Sequence, residues 1–312
     1  MTEKNIKVDK IEVIVAVCTF NRNVELDNLL SKLKLYSESA WVSIKFGVTV
    51  IDDSSDGMAR SVANNYTDAF ALGIKYENTA ARNISIARNR AIESSIHRAD
   101  WMAMTDDDCE PSEQWLPELV KIQRHTSADV VTGLMLRRAP DHAPNWLKTQ
   151  PFLELGEFEA KDGDELSVAF TNNSLVSCRL LRAGSLRFDP ALGRIGGEDV
   201  TFFRLLKKQG AKLVFAEKAF VFENEPDSRL TFRYQLRRHL WHGNSSVVTS
   251  LYNGHGRVRM MIHGLATIFR AFARPLKRIL KGQPPQFAYF IALIFEGVGK
   301  ILGVFGLKIN HS

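Results

Sequence analysis

Ile11–Thr19 reads IEVIVAVCT, a run that is apolar and β-branched almost throughout. Such continuity marks a strand buried on both faces, the habit of parallel sheets, rather than the alternation of a half-exposed one. The chain repeats the arrangement outward from it. VELDNLLSKLKLY (Val24–Tyr36) sets Leu26, Leu29, Leu30 and Leu33 at helical spacing, and FGVTVIDD (Phe46–Asp53) is a second buried strand. SDGMARSVANNY (Ser55–Tyr66) resumes a helix after an Asx or Ser cap, LGIKYE (Leu72–Glu77) is a third strand, and ISIARNRAIESSI (Ile84–Ile96) a third helix. WMAMT (Trp101–Thr105) and SEQWLPELVKIQRH (Ser112–His125) complete a fourth pair. This alternation predicts an α/β fold with a mostly parallel central sheet and helices on both faces.

Ligands of such sheets bind beyond the carboxyl ends of the strands. Thr19, Asn21 and Arg22, then Asp52 and Asp53, then Asp106–Asp108 all fall there, so three polar strand tips are expected to meet in one crevice. The stretch TDDDCEP (Thr105–Pro111) is the most telling. Three adjacent carboxylates repel one another, so the segment is either a solvated turn or the seat of a cation. Asp106 and Asp108, two apart, point the same way on an extended turn and can share a hard divalent ion, Mg²⁺ or Mn²⁺. The first strand–helix turn, CTFNRN (Cys18–Asn23), carries no glycine fingerprint, and the chain has no G-x-x-x-x-G-K-S/T, which argues against a dinucleotide oxidoreductase or a P-loop enzyme.

At 312 residues, 45% apolar and 24% charged, the chain is long enough for a full core. Its start, MTEKNIKVDK, lacks an apolar leader, and its three cysteines form no metal or redox spacing; the expectation is a cytoplasmic protein with reduced thiols. Charge is unevenly spread. Ser228–Phe295 holds 11 Arg and Lys and no acid while the whole chain is only +6, so the remainder is acidic.

Taken in order, CTFNR, VIDDSSDG, NISIARNRAI, DDD and GGEDVTFFRLLKKQGAKLVF resemble the family 2 inverting glycosyltransferases over about Ile11–Asn244, and NISIARN with DDDxxP is similar to glucosyltransferases of succinoglycan-type exopolysaccharide synthesis. The resemblance implies a GT-A nucleotide-sugar-binding fold over residues 1–244, followed by a basic amphipathic helical tail over 245–312. It implies that Thr19, Asn21 and Arg22 hold the nucleotide, that Asp53, with Asp52 beside it, accepts from the uracil, and that Arg88 and Asn89 lie near the diphosphate and ribose. Asp106 then serves ribose and metal, Asp108 the metal, Asp199 with Glu198 beside it the base, and Asn173 the neighbourhood of the transferred sugar. Arg237, Arg238 and His242 are the phosphate or acceptor candidates. The implied reaction is inverting transfer of a sugar, glucose from UDP-glucose foremost, to a lipid-linked saccharide. The chemistry asks for these types, since a cation stabilises the departing diphosphate and a carboxylate takes the proton of an attacking hydroxyl.

Each assignment has a plainer counterpart. Glu198 and Asp199 suit a helix N-terminus, Asp52 and Asp53 an Asx turn and cap, and Arg88 or the stripe of Arg229, Arg233, Arg237 and Trp241 a solvated face. Arg138–Asp164 is a long polar stretch with three prolines, a binding loop or lid in which Trp146 either stacks on an acceptor sugar or anchors the loop. A nucleotidyltransferase, which would carry a glycine-rich basic loop where CTFNRN stands, and a non-catalytic sugar-nucleotide binder are the alternative functions.

RVRMMIHGLATIFRAFARPLKRILKG (Arg257–Gly282) mixes basic and apolar residues at helical spacing, as in a helix lying on an anionic membrane. FAYFIALIFEGVGKILGVFGLKI (Phe287–Ile309) has the length of a span, yet Glu296, Lys300 and its glycines point to an interfacial or re-entrant segment. The structural alternative is a helical hairpin packed on the protein or a contact within a homo-oligomer. The expected place is peripheral, on the inner face of the cytoplasmic membrane. No aromatic-interleaved sheet motif or zinc spacing favours nucleic acid.

Overall fold

A computed structural model describes residues 11–39, 41, 44–153 and 160–309. The amino-terminal stretch and part of the Arg138–Asp164 segment lie outside the described residues. In chain order the elements are β1 (Ile11–Thr19), α1 (Asn23–Glu38), β2 (Ile44–Asp52), α2 (Ala59–Asn64), β3 (Ile74–Asn78), α3 (Ile84–Ser95), β4 (Trp101–Asp106), β5 (Cys109–Pro111), α4 (Trp115–Thr126) and β6 (Val130–Arg138). There follow α5 (Asn145–Thr149), β7 (Asn173–Ser177), α6 (Cys178–Ala183), α7 (Glu198–Lys208), β8 (Leu213–Asn224), α8 (Phe232–Tyr252), α9 (Arg257–Leu280) and α10 (Phe287–Val304).

The described strands form one sheet of order β3-β2-β1-β4-β7-β6-β8-β5. β1 runs parallel to β2 and β4, and β2 to β3, as the strand–helix alternation requires. β7 pairs antiparallel with both β4 and β6, so the sheet is mixed beyond β4. The β-branched run of β1 behaves as its sequence dictates, with Val13, Ile14, Val15 and Val17 wholly buried.

Two compact units emerge. The first comprises residues 1–134, 160–187 and 204–221; the second comprises 135–159, 188–203 and 222–312. The boundary expected after Asn244 therefore falls elsewhere, since that residue lies inside the 21-residue helix α8. Its side chain is locked there: Nδ2 donates to the Gly299 carbonyl (3.2 Å) and the Leu307 carbonyl (2.8 Å).

The second unit is helical at its C-terminal end, and glycine decides how its helices meet. A Cβ on Gly243 of α8 would lie 2.0 Å from the Glu296 carbonyl oxygen, and one on Gly299 of α10 equally close to that of Leu240. The backbones of α8 and α10 thus touch. On the other helix, Gly264 of α9 meets the Gly297 carbonyl oxygen, 3.4 Å from an added Cβ. Gly243→Ala is accordingly expected to lower stability by about 3 kcal/mol, because two backbones cannot separate without unpacking the bundle. Gly256→Ala, where nothing stands within 4 Å, is the control in the same thermal melts and should cost only the smaller preference for glycine over alanine at the N-cap of α9.

The polar stretch Arg138–Asp164 carries structure of its own. Within it α5 brings Ala143, Leu147 and Phe152 into a buried cluster with Leu230 and Ala292. Trp146 packs edge-on against Phe152 at 5.1 Å and Phe232 at 5.4 Å between ring centres. The tryptophan anchors the segment instead of standing in solvent.

Candidate active site

In the first unit the strand tips converge by register. Thr19 pairs with Asp52 across β1 and β2, and Cys18 with Asp106 across β1 and β4. Asn21 adopts φ +54°, a left-handed conformation that asparagine tolerates better than most residues, and it turns the chain back toward β4. Arg22 then reaches the acidic turn: its Nη1 donates to Asp107 Oδ1 at 2.9 Å and to Asp108 Oδ2 at 2.7 Å. Thr19 Oγ1 donates to the other oxygen of Asp107 at 2.8 Å.

Asp107, the middle aspartate, went unassigned in the sequence because a D-x-D spacing directs attention to its neighbours. It is 4% exposed, and burial pushes it up to about 7 against the pull of Arg22. Its place is structural, tying the first strand–helix turn to the acidic one. The flanking Asp106 and Asp108 are more open. Their carboxylates and the Cys109 sulfur lie within 4.8 Å of one another, close enough for one ion. The donor set fits a hard divalent cation through its two carboxylates, and the buried thiol is the softer, less apt third group. Across from them Arg88 of α3 approaches Asp106, Nη2 to Oδ1 at 3.4 Å, and is itself almost fully buried. Asn89 follows it on the same helix.

Asp52 and Asp53 have framework duties. Asp52 is wholly buried; it accepts from the Ser54 amide at 2.9 Å, from the Ser54 hydroxyl, and from Tyr76 Oη at 2.8 Å, an Asx turn of the expected kind. Asp53 accepts from Thr79 Oγ1 (2.7 Å) and from the backbone amides of Ala81 (2.8 Å), Arg82 (3.1 Å) and Asn83. Ala80 and Arg82 sit at φ +49° and +50°, unfavourable for side-chain-bearing residues, so this one carboxylate holds a strained loop that leads into α3 and its Arg88. Asp53→Ala is expected to lose about 3 kcal/mol by stranding those donors. Denaturant titration measures the loss, and amide exchange at residues 81–83 should rise with it.

Asn173 is wholly buried, with Nδ2 donating to the carbonyls of Leu134 (2.9 Å) and Ala219 (2.7 Å) and Oδ1 accepting from Trp115 Nε1 (2.8 Å). Its amide fastens strands together, which is a different job from contacting a sugar.

The second unit carries the remaining candidates. Gly196 and Gly197 take φ +96° and +84°, and a Cβ on Gly197 would lie 2.1 Å from Thr249 Oγ1. Trp241 Nε1 donates to the Ile195 carbonyl at 3.0 Å and Thr249 Oγ1 to that of Gly196 at 3.2 Å. Helix α8 therefore grips the loop that delivers Glu198 and Asp199 to the first turn of α7. Glu198 is buried; Asp199 is half-buried, its Oδ1 accepting from the Val200 amide at 2.7 Å. Arg237 and His242 of α8 each keep exposed surface, yet desolvation of the His242 ring, with Arg238 and Arg137 beside it, pushes that imidazole down to about 3. Arg238 is committed instead to Glu225, Nη1 to Oε1 at 2.7 Å. It belongs to a mostly buried network that sequence spacing did not signal: Arg137 and Arg229 bind Glu223 at 3.1 and 2.6 Å. Burial opposes the Glu223 charge, yet the three arginines hold that carboxyl below its ordinary range.

Residues 14–184, more than half of the chain, match the glycosyl transferase family 2 profile. The chain belongs to glycosyltransferase family 2. As a member it is a glycosyltransferase, and its expected identity as an enzyme stands. It is 27% identical over 303 residues, 96% of its length and 95% of the relative's, to the succinoglycan biosynthesis protein ExoM of Rhizobium meliloti (strain 1021). Two solved structures share its fold. The mannosyltransferase PcManGT from Pyrobaculum calidifontis, in complex with GDP-Man and Mn²⁺, aligns with a TM-score of 0.56 at 12% identity, covering 96% of this chain and 75% of that one. S. aureus TarS 1–349 in complex with UDP aligns at 0.52 and 12%, covering 95% and 92%. Of the longer TarS chain, this glycosyltransferase spans only 39%.

Proposed function

We propose that this glycosyltransferase moves a sugar, glucose from UDP-glucose first among donors, onto a lipid-linked oligosaccharide in exopolysaccharide synthesis, with inversion at the anomeric carbon. The observation that carries the reading is the meeting of three strand tips at Asp106 and Asp108, whose ligating atoms lie within one ion's reach. The ExoM relative supports the pathway class, and the UDP and GDP-Man complexes of the fold neighbours support a nucleotide-sugar donor with a divalent ion.

Asp106 and Asp108 would hold Mn²⁺ or Mg²⁺, which when bound offsets the charge gathering on the departing nucleoside diphosphate. Arg22, now shared between Asp107 and Asp108, and Arg88, beside Asp106, are the cations nearest that charge. Asn21 sets the turn that aims Arg22, and Asp53 fixes the loop that aims Arg88 and Asn89. The framework aspartates thus serve the donor by positioning. Asp199 takes the proton of the acceptor hydroxyl as its oxygen attacks the anomeric carbon opposite the leaving diphosphate, and a single in-line displacement inverts the centre. Glu198, buried beside it, steadies the same turn.

The test is turnover of a panel of UDP-, GDP- and dTDP-sugars with Mn²⁺ and membrane lipid extract. Release of one nucleoside diphosphate, dependent on both metal and lipid, supports the reading and names the donor; metal-independent release, or transfer to water alone, contradicts it.

A further inference from the structure

The C-terminal helices hold a surface that the transfer chemistry does not use. Along α9, Val258, Ile262, Leu265, Phe269, Phe272 and Leu276 recur at alternating steps of four and three, and the row continues to Leu280. Each is more than half exposed, from 54% at Leu265 to 77% at Leu280. The stripe is about 33 Å long at the rise of an α-helix. Water-facing apolar surface of that extent marks a binding face.

What covers it follows from charge. Arg259, Arg270 and Lys277 are exposed along one edge of the stripe, and Ser228–Phe295 contains no acidic residue at all. The steps of four and three would suit a coiled coil with a second copy, but in either orientation the basic edge of one helix would meet no acid on the other. An anionic surface answers both the stripe and its edge.

Helix α10 is, among the described residues, the one long and apolar enough to cross a membrane. Its surroundings forbid it. Backbone contact with α8 through Gly243 and Gly299 binds it to a helix bearing Arg233, Arg237 and Arg238. Its own charges are spent inside the bundle: Lys300 pairs with Glu296 at 2.7 Å and donates to Thr267 of α9 at 3.0 Å, and His239 of α8 stands 3.5 Å from Glu296. A span would carry α8 and its charges into hydrocarbon.

We propose that α9 lies flat in the headgroup layer of an anionic phospholipid bilayer, its apolar stripe among the acyl chains and its basic edge at the lipid phosphates, while α10 stays packed on α8 and α9 and does not cross. This deepens the reading of a lipid-linked acceptor, yet it stands on the C-terminal helices alone.

The experiment is flotation of the full chain with vesicles of equimolar phosphatidylglycerol and phosphatidylcholine, against phosphatidylcholine alone. The wild type should float with the first and stay in solution with the second, and Leu265→Gln with Phe269→Gln should weaken binding by about tenfold or more. Those positions are exposed, so the pair should melt at the wild-type temperature and keep wild-type Mn²⁺-dependent donor binding by calorimetry in lipid-free solution; absence of that binding in both proteins would fault the transferase reading, not the docking face. As an independent readout, an environment-sensitive dye on Phe269→Cys should shift to the blue only with the anionic vesicles. Equal flotation with both vesicle types would overturn the proposal. So would a wild-type dimer made monomeric by the double substitution with flotation unchanged, which would assign the stripe to a second copy. Protein that alkaline carbonate cannot strip from cell membranes would assign α10 to the bilayer instead.

Discussion

Asp199→Asn is expected to bind metal and donor as the wild type does while turnover falls about a thousandfold, within the range a positioned general base contributes. The substitution is close to isosteric. An asparagine oxygen can still accept from the Val200 amide, and the turn remains gripped by Trp241 and Thr249 of α8. What disappears is the capacity to take a proton. A pure capping role would give the opposite pattern, with a small loss of stability and turnover nearly intact. Calorimetry of donor binding beside steady-state nucleotide release separates the two. A drop in turnover of less than about fivefold would leave Asp199 no role as base.

Asp108→Ala is expected to abolish the response to Mn²⁺ and to reduce turnover by about a thousandfold, the equivalent of the several kcal/mol that a bound cation supplies to a departing diphosphate. Stability should barely move. The Asp108 carboxylate is 19% exposed and stands beside the buried charge of Asp107, so its removal relieves repulsion, and Arg22 keeps its bond to Asp107 at 2.9 Å. The comparison with Asp107→Ala is instructive, because that change strands Thr19 Oγ1 and half of Arg22 and should act on stability before catalysis. Mn²⁺ titration followed by electron paramagnetic resonance reads the affinity directly, without reliance on activity.

The parallel half of the sheet was legible because burial on both faces leaves an unbroken signature, as in Ile11–Thr19. The strands β6 and β8 were not marked out, since each opens on a short buried run and continues into partly exposed residues that merge with adjoining polar stretches. Among site residues, the strand-tip rule found Thr19, Arg22 and Asp106–Asp108, which the structure brings together. It could not say which carboxylates face inward: Asp52 and Asp53 spend their oxygens on neighbouring amides and hydroxyls, Asp107 on Arg22 and Thr19, and only three-dimensional neighbours reveal that. The tail shows the same limit. Glycines in Phe287–Ile309 argued against a simple span, and they prove to be where α10 meets α8; the partner, Gly243, carried no signal of its own.

The central claim is inverting transfer at the Asp106–Asp108 crevice with Asp199 as base. The most direct measurement is the anomeric configuration of the product, by nuclear magnetic resonance, after incubation of the full chain with UDP-glucose, Mn²⁺ and lipid-linked acceptor. A β-linked glucose on the lipid from the α-linked donor is the predicted result. An α-linked product would contradict a single displacement, and with it the role given to Asp199.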